Sequence, residues 1–363
     1  MKKELLIYSA VGLLLSAPAS AQVLKTESHC FNDGDELVKQ ELEYKSPGRS
    51  GKDVVWNFSE LAVIDEGYTE TFISDENHHI YQCAPRSVYE YGMQGDSLVC
   101  WGYQADNVQV NYFQPQLQLK FPVSYGDSLS NCFYGEGLYS KRLYMSVYGK
   151  SERKADAHGI LILPDDVCLQ KVLRIHESNV LGQRISSDNS ALCTDSLAAC
   201  EIENVMAKLA EDSITWQTDT YRWYVEGSRY PVFETVEVDI LRPDGQRVPH
   251  YKRSWQYHTN NVSVVEHDTE GVEEVKTQKS LSFNHFWSDN QKLTVEFYLS
   301  GSDSNVDIQL TTLQGIVVSN QCLSSLPGGF HSEVFDLSNH PSGVYILSIK
   351  VNNETISEKI LKN

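Results

Sequence analysis

The tetrapeptide Gly-Asp-Ser-Leu occurs twice, at Gly95–Leu98 and Gly126–Leu129. A serine just past a Gly-Asp turn is placed for nucleophilic attack if a histidine base and an orienting acid converge on it. The duplication and the strand-rich surroundings favour a plainer reading, a turn entering a strand, so no catalytic residue and no enzymatic activity are assigned. His158 and His176 fall in or beside adjacent predicted strands. Without a carboxylate or cysteine nearby, such a pair is a poor acid–base or metal site and reads as structural. His78-His79 reads as an exposed turn. Asn32-Asp33-Gly34-Asp35-Glu36 offers oxygen ligands but lacks the spacing of a calcium loop. None of the eight cysteines forms a C-x-x-C pair, so neither a metal nor another cofactor is expected.

The densest aromatic stretch is TYRWYVEGSRYPVF, from Thr220 to Phe233. On a strand, Tyr221 and Trp223 share one face while Arg222 and Tyr224 share the other. Exposed, these four residues form a platform on which a sugar ring can stack; turned inward, they are core. Seven cysteines precede residue 201 and only Cys322 follows. Cys193 and Cys200 would close a short loop in an oxidising compartment, and the alternative is buried free thiols packed as small apolar groups.

Positioning of these residues falls to strands. Alternating apolar and polar residues recur between turn signals at 53–63, 97–104, 108–113, 117–123, 142–149, 159–164, 170–177, 220–227, 232–241 and 252–258. One helix is predicted within 195–211, where Ala198, Ile202, Val205, Met206 and Leu209 recur at helical spacing. The stretch 259–282 turns acidic, loses its large aromatics and reads as a linker. Beyond it, 283–363 carries six or seven short strands. The fold class is therefore all-β: a larger antiparallel β-sandwich or barrel-like region over 22–258, then a small immunoglobulin-like β-sandwich.

The N-terminus, MKKELLIYSAVGLLLSAPASAQ, has a basic start, a short apolar run and an Ala-Ser-Ala site. It reads as a signal peptide over 1–21, cleaved between Ala21 and Gln22. No later segment is long and apolar enough to span a membrane as a helix. A formal charge of −19 disfavours nucleic acid or an anionic membrane surface as partner.

The C-terminal unit carries an ordered set of motifs. They are the Leu313-Gln314-Gly315 turn, the Leu326-Pro327-Gly328-Gly329 loop, Phe335-Asp336-Leu337-Ser338, Pro341-Ser342-Gly343-Val344-Tyr345 and the terminal Glu358-Lys359-Ile360-Leu361-Lys362. On these it resembles the type A C-terminal sorting domain of the Bacteroidetes type IX secretion system. The resemblance implies a small β-sandwich, recognised by outer-membrane secretion machinery and usually removed after export. It departs at the opening, where Phe283-Asn284-His285-Phe286-Trp287 lacks the proline of a Tyr-x-Asn-Pro-like start. The preceding region, with YGDSLSNCFYGEG, ADAHGILILP and VLRIHE, resembles passenger regions of secreted proteins carrying such domains, which implies no activity. Asp-Ser followed by an aliphatic residue resembles the O-glycosylation acceptor motif of the same bacteria, and marks Ser97, Ser128, Ser196 and Ser213.

These readings converge on an exported protein, extracellular or on the outer cell surface, with the periplasm as alternative. Its C-terminal domain directs export or attachment, and its passenger presents a binding or structural surface for a glycan or a host or surface protein. The competing expectations are a secreted hydrolase and a surface-layer or fimbria-like subunit.

Overall fold

The computed structural model describes residues 22–164, 167–192, 200–261, 281–289, 291–300, 303–352 and 354–363. The predicted signal peptide through Ala21, Cys193, Ser196 and residues 262–280 of the predicted linker lie outside the described residues.

The passenger opens with a single helical turn, α1 (Thr26–His29), followed by β1 (Glu36–Leu42), β2 (Gly51–Asn57), β3 (Val63–Ser74), β4 (Ile80–Ala84), β5 (Ser87–Gln94) and β6 (Ser97–Ala105). Then come β7 (Val108–Lys120), β8 (Ser128–Tyr139), β9 (Leu143–Leu163), β10 (Val167–Ser186), helix α2 (Ile202–Glu211), β11 (Thr215–Tyr224), β12 (Phe233–Leu241) and β13 (Arg247–Asn261). All thirteen strands belong to one sheet. Leaving β2 aside, each strand pairs antiparallel with its successor, β9 pairs with β10, and β13 returns to β1. The meander is therefore a closed barrel rather than two packed sheets. Closure satisfies the backbone groups that an open sheet leaves at its edges.

Two pairs of predicted strands fuse. The stretches 108–113 and 117–123 belong largely to β7, and 142–149 and 159–164 are the two ends of the 21-residue β9. Between those ends the chain reads Lys150-Ser151-Glu152-Arg153-Lys154, which shows no apolar alternation. Ser151 and Arg153 nevertheless sit on the buried face and Glu152 on the exposed one. The lumen is polar at this level, so the usual apolar signature of an inward face is missing.

Residues 43–62 leave the ring as a strap across its outer wall. Within the strap, β2 runs parallel to the far end of β9, with Val54 opposite Gly159. A methyl group on Gly159 would stand 1.8 Å from the Val54 carbonyl oxygen, so only glycine permits this approach. Under the strap lies an aromatic cluster. Trp56 meets Trp223 edge-on at 5.8 Å, and Phe58 stacks on Phe233 at 4.1 Å. Arg174, 1 % exposed, ties the strap down: it donates to the carbonyls of Pro47 and Arg49 and forms a forked pair with Asp156 at 2.9 and 2.7 Å.

The C-terminal unit comprises β14 (Leu281–Trp287), β15 (Lys292–Leu299), β16 (Ser304–Thr312), β17 (Val317–Leu326), β18 (Gly329–Asp336), β19 (Gly343–Val351) and β20 (Glu354–Lys362). A three-stranded sheet, β14-β15-β18, packs on a four-stranded one, β17-β16-β19-β20. Their shared core includes Phe283, Val295, Phe297, Ile308, Leu310, Tyr345 and Leu347, and takes every member from residues 281–360. The unit thus has its own core.

It is nevertheless latched to the passenger. Lys45 of the strap pairs with the buried Glu296 at 2.6 Å. The Arg49 amide donates to Asn284 Oδ1, its side chain donates to the Phe283 carbonyl and lies over the Phe283 ring, and Glu358 stands 3.5 Å away. Tyr298 and Phe330 pack on Val55, Ile160 and Ile162. Replacing Lys45 by alanine leaves the Glu296 carboxylate buried without its cation, which costs about 1–3 kcal/mol of docking. The expected result is faster amide hydrogen exchange across 43–58, with β15 still protected. Unchanged exchange would place the docking energy on the Arg49 contacts and the Val55 face.

Candidate functional site

Alternation along the barrel strands turns one face of each into the lumen, and the lumen is ionic around half its circumference. Arg153 on β9 stands directly opposite Glu177 on β10, and their side chains meet at 2.7 Å. Glu177 also holds Arg222 of β11 at 2.8 Å, and Arg222 holds its cross-strand partner Glu234 of β12 at 2.6 Å. Glu234 accepts from Lys39 of β1 at 3.0 Å, and Lys39 stands 3.9 Å from Glu70 of β3. Gln82 of β4 donates to the other Glu70 oxygen at 2.6 Å. β13 contributes aromatic faces to this belt, since the Lys39 ammonium lies 4.7 Å from the Trp255 ring and 5.1 Å from that of Tyr257. Positive and negative groups alternate from β9 round to β3, three of each, and their formal charges cancel.

Apolar side chains close the barrel on either side of the belt. One cluster joins Val110, Tyr112, Phe133, Met145 and Val147. The other joins Leu98, Leu119, Leu173 and Ile175 to the N-terminal segment, whose Leu24 exchanges two 2.9 Å backbone hydrogen bonds with Val123. Phe31, from the same segment, stacks on Tyr230 and meets Tyr91 edge-on.

Between these plugs lies a cavity of about 340 Å³, lined by all six belt residues together with Tyr68, Tyr89, Tyr91, Cys100, Gln116, Gln118, Tyr224 and Tyr257. Tyr68 and Tyr89 remain 38 % exposed, so the cavity opens to solvent beside β3 and β5. Among the described residues, no hydrogen bond within the protein engages the hydroxyls of Tyr91, Tyr224 or Tyr257. Burial pushes the Tyr224 hydroxyl up to about 12 and that of Tyr91 well above its ordinary value, so both stay neutral. Burial likewise holds the Cys100 thiol at about 12, which makes it a spectator rather than a nucleophile.

Burial alone would raise the belt carboxyls. Arg153 and Arg222 outweigh it at Glu177 and hold that group at about 2, and Lys39 and Arg222 lower Glu234. The folded value of Glu177 lies below its ordinary 4.5, so its stabilisation is complete above that pH and is lost as pH falls toward 2. The expected loss is on the order of 3 kcal/mol between about pH 5 and pH 2. Urea unfolding midpoints measured across that range check it, and a flat profile would contradict it.

The predicted aromatic platform is corrected by the packing. Trp223 is 0 % exposed and sits in the cluster beneath the strap. The Tyr221 ring is stacked by His176 at 4.2 Å and has the Arg174 guanidinium 5.1 Å from its centre. Neither ring offers a free face. Arg222 and Tyr224, on the other side of the strand, do reach a cavity, but it is the lumen. The sharing of faces along 221–224 follows from alternation; which face met solvent was decided by the strap and the barrel wall.

Asp96 of the first Gly-Asp-Ser-Leu and Asp127, Ser128 and Leu129 of the second line one further cavity, of about 350 Å³, beside Phe121 and Lys154. No histidine is among its lining residues. Ser97 donates to Asp96, and Asp127 accepts from the Ser124 amide, as turn residues do. An Asp-x-x-His spacing of the kind a serine nucleophile would need occurs at Asp75–His78. It forms the β3–β4 turn, where Asp75 accepts from the amides of Asn77 and His79. His158 and His176 do not converge: His158 packs against Tyr125, and His176 pairs with Asp219 at 2.9 Å. Ser178 also bonds within this group, through Gln217 and Asp219, so its hydroxyl is turned to the acid rather than to the histidine. Asp33 accepts from the Ser74 amide, and Asp35 is buried against Tyr230 and Arg229. Among the described residues no group of three or more His, Cys, Asp or Glu side chains is placed to hold a metal.

Of the predicted acceptor serines, Ser128 and Ser213 are exposed, Ser97 is half-buried and Ser196 is outside the described residues. Cys200 packs near Cys132, Tyr134 and Tyr148; its predicted partner, Cys193, is outside the described residues. Gln22, at the predicted cleavage point, touches His29 at 3.1 Å.

The belt residues Lys39, Glu70, Arg153, Glu177 and Glu234 were not singled out in the sequence. A signal existed: the inward face of β10 reads Leu173, Ile175, Glu177, Asn179, Leu181, a period-two set in which charge replaces apolar residues without a change of phase.

No helix among the described residues is long and apolar enough to cross a membrane. No curated protein matches the chain. The C-terminal sandwich does have a family: residues 289–363 match the secretion system C-terminal sorting domain, which marks the chain as cargo of the type IX machinery bound for the cell surface or the extracellular space.

Proposed function

We propose that this is an exported binding protein whose passenger barrel takes a small ligand into its lumen. The observation that carries the reading is the solvent-connected cavity lined by an ion-paired belt and by tyrosine hydroxyls that, among the described residues, no protein group engages. A volume near 340 Å³ falls at the small end of the range of about 300–1,000 Å³ for small-molecule pockets. The hydrolase alternative is less well supported. Each of the belt carboxylates Glu177 and Glu234 is held between two cations, and no histidine lines the cavity beside the Gly-Asp-Ser-Leu turns. The fimbria-like alternative calls for a long unpaired strand edge; the barrel strands close into a ring, and among the described residues their one-sided stretches are β2, residues 63–70 of β3 and residues 128–133 of β8.

The test is a thermal-shift survey of the exported protein with saccharides, amino acids, aromatic carboxylates and fatty acids. At least one class is expected to raise the midpoint, by an amount equivalent to about 2.7 kcal/mol at a hundredfold excess over Kd. A Ser87→Trp variant, which fills the open side of the cavity, is expected to lose the shift. A shift retained by that variant, or no shift from any class, would overturn the lumenal reading.

A further inference from the structure

Granting that the lumen is the binding site, we infer that its ligand is an uncharged saccharide of one or two rings. The cations of the belt are already committed: Arg153 to Glu177, Lys39 to Glu234, and Arg222, the most open of them, to two carboxylates at once. An anionic ligand would draw a cation away from a buried carboxylate, and a cationic one would do the reverse, so either leaves a charge unpaired in the wall. Arg229, which also lines the cavity, is likewise 3.5 Å from Asp35. Burial lowers the pKa of His29, which also lines the cavity, and so disfavours its charged form.

What remains for a ligand is neutral. The Tyr91, Tyr224 and Tyr257 hydroxyls each offer one donor and one acceptor site. The Gln116 and Gln118 amides line the same cavity, but Gln118 donates to Gln116, Gln116 donates to Asn179 and Gln118 accepts from Arg153, so each keeps one further N–H for a ligand. Flat apolar faces lie beside them, with Tyr89 and Tyr91 roughly parallel at 6.3 Å. A partner that matches hydroxyls and amides along its edge and aromatic rings on its face is a pyranose, whose equatorial hydroxyls ring an apolar C–H surface. Purely aromatic ligands would leave the tyrosine hydroxyls buried without partners, a loss for each of them. The cavity volume limits the occupant to a short saccharide; a polymer would have to thread a lumen plugged by the apolar clusters on both sides of the belt.

Tyrosine and tryptophan fluorescence titrations, with calorimetry as a second readout, test this on the exported chain. The probes are glucose, galactose, N-acetylglucosamine, maltose and lactose, against glucuronate, arginine and benzoate. At least one neutral sugar is expected to bind, with glucuronate at least ten-fold weaker than glucose or not at all. Tyr91→Phe and Tyr257→Phe, which keep the rings and remove the hydroxyls, are each expected to weaken binding by about three- to ten-fold, with circular dichroism unchanged. Binding of benzoate, arginine or glucuronate in preference to every neutral sugar would overturn the saccharide assignment while leaving a lumenal site. Equal sugar affinity in both phenylalanine variants would overturn it too. If no probe binds and Ser87→Trp is indistinguishable from the parent, the lumenal reading falls with it.

Discussion

Arg222→Met is expected to destabilise the passenger by about 3 kcal/mol, the low end of what breaking a buried ion pair costs. The mechanism is the state of its partners. Glu177 and Glu234 are both buried, and both meet Arg222, at 2.8 and 2.6 Å. Methionine fills much of the space but leaves two buried carboxylates facing each other without the cation between them. Lys39 and Arg153 still neutralise one side of each, and the cavity beside Arg222 admits water, which keeps the loss from being larger. The measurement is the urea midpoint at neutral pH. A second expectation separates this account from simple loss of packing: the variant's stability should recover in part as pH is lowered, because protonating either carboxylate removes the repulsion. A variant as stable as the parent, or one with no recovery in mild acid, would show that the belt is not electrostatically coupled.

Trp223→Ala is expected to cost about 3–5 kcal/mol, the range for emptying a large aromatic from a packed interior. Trp223 is fully buried and has Trp56, Phe58 and Phe233 at 5.3–5.8 Å. The cavity left behind would lie under the strap, so the effect is expected to spread. Residues 43–58 should exchange faster, and the C-terminal sandwich, latched to them through Lys45 and Arg49, should be released more easily. Limited proteolysis after Lys45 or Arg49, followed with the denaturation midpoint, reads both consequences. If the ring were instead a stacking platform, the alanine variant would keep its stability and lose ligand binding, the opposite pattern.

The latch itself has a suggestive boundary. The family match begins at residue 289, yet the sandwich begins with β14 at Leu281. Phe283 and Asn284, which hold Arg49, lie in that leading strand. So does the departure at Phe283–Trp287 from the usual opening of such domains. The strand that completes the sandwich is also one of those that meet the passenger. Gly48 marks the fit from the other side, since a methyl group there would come within 2.1 Å of the Asn284 side chain.

Much of this was legible in the residues. Alternation gave an all-β chain, the turn and strand order after residue 283 gave a compact terminal sandwich of the sorting type, and helical spacing at Val205 and Leu209 located α2. These features are local: a strand's period, a turn's glycine and a motif's order are written along the chain within a few residues of one another. What the chain could not state by itself was closure. Whether β13 returns to β1 depends on strand tilt and register summed around twelve strands, and no single segment carries that sum. Closure in turn decided which face of 221–224 was lumen and which lay beneath the strap, so it converted an apparent aromatic platform into core and scattered charges into a belt. The site exists because Lys39, Glu70, Arg153, Glu177, Arg222 and Glu234, spread over almost two hundred residues of sequence, are brought side by side only when the sheet meets itself.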